Sequence, residues 1–126
     1  MLKPNGLALI QAITIEDARY SKALNTIDYI KRYIFPGSFI PCISVMTQTA
    51  SEQKLRLKHL EDIGLSYAKT LHYWRDRFLA QLPQVRELGF DEQFIRMWDF
   101  YLCYCEGGFE EGVISDVHLL FEASAY

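Results

Sequence analysis

Residues 90–109, FDEQFIRMWDFYLCYCEGGF, place the tightest constraint on how this chain can fold. Phe94, Met97, Trp98, Tyr101, Leu102, Cys105 and Phe109 recur three and four apart, which predicts a helix with one apolar side. Asp91 stands where it can accept hydrogen bonds from the first free amides, and Glu92 puts negative charge at the end the helix dipole favours. Phe90, just outside the cap, is placed to pack on Ile95. Burying each large side chain stabilises by ~1.5–3 kcal/mol, so this stripe can anchor a small domain. Tyr101 carries the one hydroxyl on the stripe's axis. Once buried, it needs a partner from protein, water or ligand. A core hydrogen bond and a ligand contact both remain open, and the first is the commoner.

A chain of 126 residues is one domain or a piece of one. The aromatic share of 14% suits either a dense core or an apolar ligand cavity. A net charge of -3 with scattered Lys and Arg gives no footprint for nucleic acid. No apolar run reaches membrane-spanning length and no signal-peptide pattern opens the chain, so a cytoplasmic protein with reduced thiols is expected. Cys103 and Cys105 are two apart on a helix and point about 200° from each other, which cannot readily grip one metal ion. His59, His72 and His118 lie in separate elements without ligand spacing. There is no nucleophile elbow, Walker loop or glycine-rich dinucleotide turn.

Taken in order, a Lys3-Pro4-Asn5-Gly6 turn leads into residues 7–13 (LALIQAI), an almost unbroken apolar run suited to a strand buried on both faces. Gln11 interrupts it, either as an amide satisfied by neighbouring backbone or as a polar group near a ligand. Residues 14–20 read as a loop. Asn25 is then expected to cap a short helix that buries Ile27, Ile30 and Ile34 and ends at Pro36-Gly37. Tyr33, Phe35, Phe39 and Ile40 make a hydrophobic loop, docked on the core or walling an apolar pocket. A second short helix is expected over residues 44–51. Residues 55–60 (LRLKHL) alternate as a strand. Gly64 opens a helix with Tyr67, Leu71, Trp74, Phe78 and Leu82 inside, which Pro83 ends or bends. Gly107-Gly108 is expected to loosen the end of the Tyr101 helix. Residues 113–122 close the chain as a strand with Val117, Leu119 and Phe121 on one face. The order of elements gives an α/β layer architecture.

Four segments in this order and spacing, KPNGLALIQAITI, YIKRYIFPGSFIP, GLSYAKTLHYWRDRF and LGFDEQFIRMWDFYLCYCEGGF, resemble the C-terminal portion of cyclopropane-fatty-acyl-phospholipid synthases. The resemblance covers nearly the whole chain. It implies the C-terminal part of a Rossmann-like, S-adenosylmethionine-dependent methyltransferase fold, with helical insertions around a lipid cavity. Three strands of a mixed sheet would be present in a single partial domain, 1–126, the last strand lying antiparallel between the other two. The methyl-donor site would belong to the family's preceding part. Met1 falls at an internal family position, as expected for a split gene, an internal start or a truncated copy, and such a chain would be inactive alone.

By the same resemblance, the reaction is methylation of a cis double bond in an unsaturated phospholipid acyl chain, with a bound bicarbonate taking a proton from the resulting cation. Tyr101 matches the family's bicarbonate-binding tyrosine, Ile13 its backbone contact, and Gln11 the position where the ring-forming enzymes carry histidine. A glutamine can donate a hydrogen bond but cannot carry a proton as histidine can. That departure leaves ring formation and simple methylation both open. Tyr33, Phe35, Tyr67 and Trp74 would line or back the acyl cavity. Expected partners are an upstream methyltransferase part or a second copy joined through the first strand, with peripheral contact at the inner membrane surface. The rival readings are a non-catalytic module that binds a hydrophobic ligand or a partner, and a remnant of a truncated gene.

Overall fold

A computed structural model describes residues 2–124. The elements run β1 (Leu7–Ile15), α1 (Asp17–Leu24), a π-helical turn (Ile30–Ile34), α2 (Ile43–Glu52), β2 (Leu55–Asp62), α3 (Gly64–Ala80), α4 (Leu82–Glu87), α5 (Glu92–Glu110) and β3 (Ile114–Ala123). The sheet order is β1-β3-β2. Both ladders are antiparallel, so the mixed character of the sheet lies only in β1 and β2 running the same way on either side of β3. The expected placing of the last strand in the middle is what the fold has.

α5 follows from its sequence signals. Asp91 Oδ1 accepts from the Phe94 amide at 2.8 Å, and Ile95, Leu102, Cys105 and Phe109 are buried. The staple differs in partner: Phe90 stacks on Phe94, with ring centroids 4.2 Å apart, rather than on Ile95. α5 also runs straight through Gly107-Gly108 to Glu110. The reason lies in packing, because a Cβ on Gly108 would stand 3.1 Å from the Ile114 side chain, so the missing side chain lets β3 approach the helix.

Several local expectations are corrected. Residues 17–24 form α1 rather than loop, and Asn25 closes that helix instead of opening the next, its side chain donating to Ser21 O at 3.0 Å. Asp28 does the capping, accepting from the Lys31 amide at 2.9 Å, and Ile27 is 76% exposed. α3 ends at Ala80, and Pro83 sits near the start of a separate α4. The largest difference is at β1. It is exposed on both faces, with Leu9 67% accessible, because among the described residues only β3 lies alongside it and no helix covers its start.

Two apolar clusters hold the fold. Val117, Leu119 and Phe121 pack with Ile43, Met46 and Ala50 of α2 on one side of the sheet. Ala68 and Leu71 of α3 meet Leu102, Cys105 and Phe109 of α5 on the other.

Candidate functional site

The α3–α5 side encloses an apolar cavity of about 310 Å³. Ile13 and Ile114 rise into it from the sheet. Tyr67 and Leu71 come from α3, Tyr101 and Cys105 from α5, and Phe35, Phe39 and Ile40 from the segment after the π-helical turn. That segment is pinned in place because the Tyr29 hydroxyl donates to Met97 O at 2.7 Å and the Ile15 amide to Pro41 O at 3.0 Å. A second cavity of similar volume adjoins the first along Ile30, Phe39, Ile40 and Ile114, and extends to Leu24, Lys31 and Tyr104.

Tyr101 is half-buried, with Trp98 against one edge at 5.1 Å and Phe35 against the other at 6.2 Å. Burial, together with the neighbouring Cys105 and Tyr67, pushes its phenol up to about 12. Its hydroxyl donates to the Cys105 sulfur, and burial raises that thiol to about 11. Both groups therefore stay protonated at neutral pH, and the site holds a hydroxyl and a thiol in an apolar wall. Cys103, by contrast, is exposed on the far side of the same helix.

The predicted residues divide by position. Ile13, Phe35, Tyr67 and Tyr101 all line the one cavity. Trp74 is 47% exposed and backs Tyr67 from outside, its ring meeting the phenol edge-on at 6.0 Å. Tyr33 is 54% exposed and turns away from the cavity, with its ring against Tyr29 and the Arg32 guanidinium 5.6 Å from its centre. Gln11 is an exposed residue whose amide Nε2 donates to Asp116 Oδ2 at 2.6 Å.

Asp116 is the residue the sequence reading missed. It is fully buried, its Oδ1 has no hydrogen-bond partner, and among the described residues no Lys, Arg or His pairs with it. It lies across from Ile13 in the ladder and on the same sheet face as Ile114. With burial, its charge raises the Tyr67 phenol. A buried acceptor left unsatisfied costs about 1–3 kcal/mol, so this side chain is held at a cost to the fold. The available signal was one acid inside an otherwise apolar strand, VISDVHLLF.

With this geometry in place, comparison with known proteins supplies the context. The family model for mycolic acid cyclopropane synthetase matches residues 1–119. Tuberculostearic acid methyltransferase UfaA1 of Mycobacterium tuberculosis is 37% identical over 115 residues, covering 90% of this chain and 27% of that protein. The cyclopropane-fatty-acyl-phospholipid synthase of Escherichia coli K12 is 33% identical over 108 residues, 86% of this chain and 27% of the relative. This chain thus spans about a quarter of the length of these curated relatives. The crystal structure of mycolic acid cyclopropane synthase CmaA1 complexed with SAH and CTAB superposes with a TM-score of 0.83 at 23% identity, over 96% of this chain and 45% of that one, and shows the shared fold. With the family model matched over nearly all of its length, the chain belongs to the mycolic acid cyclopropane synthetase family of S-adenosylmethionine-dependent methyltransferases.

Proposed function

We propose that this chain forms the acyl-chain side of a lipid methyltransferase, acting on the cis double bond of an unsaturated phospholipid acyl chain, with the methyl donor held by polypeptide beyond these residues. The observation that carries this reading is the apolar cavity with the Tyr101 phenol in its wall. Apolar walls bind a hydrocarbon chain by removing it from water, and they keep water from quenching a developing positive charge. Tyr101 orients a polar group there without ionising. Trp74 acts from behind Tyr67, and Tyr33 from the rim, if it touches lipid at all. S-adenosylmethionine supplies an electrophilic methyl group when bound. Whether the product is a ring or a simple methyl branch follows from proton handling in this cavity.

A bicarbonate fits these residues poorly. The Gln11 donor is already given to Asp116 and the Tyr101 hydroxyl to Cys105, and a buried carboxylate next to the ladder position of Ile13 would repel a second anion. No step is therefore assigned to it.

The remaining polypeptide is either a preceding methyltransferase segment or a second chain, and the open edge of β1 is where it would pair. An apolar edge strand without a neighbour promotes association. Sedimentation of the isolated chain should show concentration-dependent self-association that Leu9→Lys weakens, and a strict monomer at high concentration would remove β1 as a docking edge. Contact with the membrane surface is part of this reading, since the acyl chain comes from a phospholipid. No described helix is long and apolar enough to cross a membrane.

The reading is tested by mixing the chain with the donor-binding part of a relative, labelled S-adenosylmethionine and vesicles of unsaturated phospholipid. Label should enter the acyl chain, and Tyr101→Phe should cut the rate at least tenfold, about 1.4 kcal/mol in the barrier. A cavity that binds lipid while no label transfers would instead favour a non-catalytic binding module, which the completeness of the cavity within this chain also suits.

A further inference from the structure

We propose that Asp116, steadied by Gln11, is the acidic floor of the Tyr101 cavity, and that the site prefers an apolar chain bearing a positive centre. The inference rests on the acyl-chain reading of that cavity and adds the charge of what it holds. Three cavity-lining residues surround Asp116: Ile13 across the ladder, Ile114 two positions earlier on the same face, and Tyr67 above. Gln11 Nε2 fixes Oδ2 at 2.6 Å, which leaves Oδ1 as a fully buried acceptor with no donor. Unpaired carboxylates are rare in protein interiors because the missing partner leaves the charge uncompensated. Here the neighbours within reach supply no cation: the phenols of Tyr67 and Tyr101 and the Cys105 thiol are neutral or partly negative groups, and the next ladder pair along the face is His118 with Gln11. The compensating charge would come with the ligand. Ring faces of the two tyrosines favour the same sign of charge. The same arrangement also accounts for the poor fit of a bicarbonate, because a resident carboxylate already occupies the electrostatic role an added anion would play. A permanent quaternary ammonium on an alkyl chain tests the preference directly, and a double bond that accepts a methyl group develops the same sign of charge transiently.

The test titrates the whole chain with decyltrimethylammonium, decyl sulfate and decanol below their micelle concentrations, read by calorimetry and tyrosine fluorescence. The ammonium should bind at least tenfold more tightly than the sulfate, a difference of about 1.4 kcal/mol. Asp116→Asn should abolish that ratio. Glu110→Gln, which removes one exposed charge elsewhere, should retain it and so separates the floor from the chain's overall negative charge. Should Asp116→Asn fail to fold, the wild-type Asp116 13Cγ resonance still decides: it should move on saturation with the ammonium and stay fixed with decanol. Equal affinity for the two charged probes, or a ratio that survives Asp116→Asn, overturns the role of Asp116 while leaving the cavity reading intact. Binding of none of the three probes overturns both.

Discussion

Across the sheet, the side facing α2 and the side facing α3 and α5 are made of different chemistry. Toward α2, Val117, Leu119 and Phe121 are almost without solvent contact and meet only apolar neighbours. Toward α3 and α5, the apolar cluster adjoins two tyrosines, a thiol, an orphaned carboxylate oxygen and open space. Close packing gives the first side its stability, whereas the second gives up packing to hold polar groups beside a void. One side of the sheet therefore supports the fold while the other presents the site, and β3 contributes alternate residues to each.

The sharpest way to break that contrast is to cut a side chain from each side. Phe121→Ala should cost about 3–5 kcal/mol, a large part of the ~5–15 kcal/mol that holds a typical domain together. Leu71→Ala, which enlarges a cavity already present, should cost less in urea denaturation. Equal losses would mean the two sides are packed alike. Alkaline pH separates them next. Tyr101 and Cys105 have raised values in the fold, against ordinary values of 10.0 and 9.0. Their contribution is thus complete below about pH 9 and is lost as pH climbs through the raised values, to about 12. Melting temperature should fall more steeply over that range in the wild type than in Tyr101→Phe, and parallel curves would contradict the burial of the phenol. The smallest effect is expected for Tyr101→Phe at neutral pH, within about 1 kcal/mol of wild type, since only a hydrogen bond to sulfur is lost. A larger loss would make Tyr101 a structural residue rather than a presenting one.

How much of this was legible in the sequence depends on whether a residue's neighbours are near in the chain. α5 and its cap could be read because Asp91 and Phe94, or Leu102 and Cys105, are partners within a turn. The alternation of β3 was equally plain. The hydrophobic loop carrying Phe35, Phe39 and Ile40 was readable as a pocket wall, although Tyr33 in the same run faces outward. α1 was missed because its residues, DARYSKAL, are polar and none is buried, so periodicity had little to mark. The exposure of β1 was missed because an apolar run states that a strand prefers cover, not whether a neighbour is there to give it. Asp116 was missed for the same reason as its link to Gln11, which spans 105 positions and exists only once the strands are paired.

The middle position of β3 bears on synthesis. Of the three strands, this one leaves the ribosome last, yet β1 and β2 have no ladder with each other and must wait for it. A nascent chain that has made everything up to α5 therefore carries two unmatched strands, and the sheet closes in a single late event across a long sequence separation, which slows folding and leaves the intermediate open to chaperones.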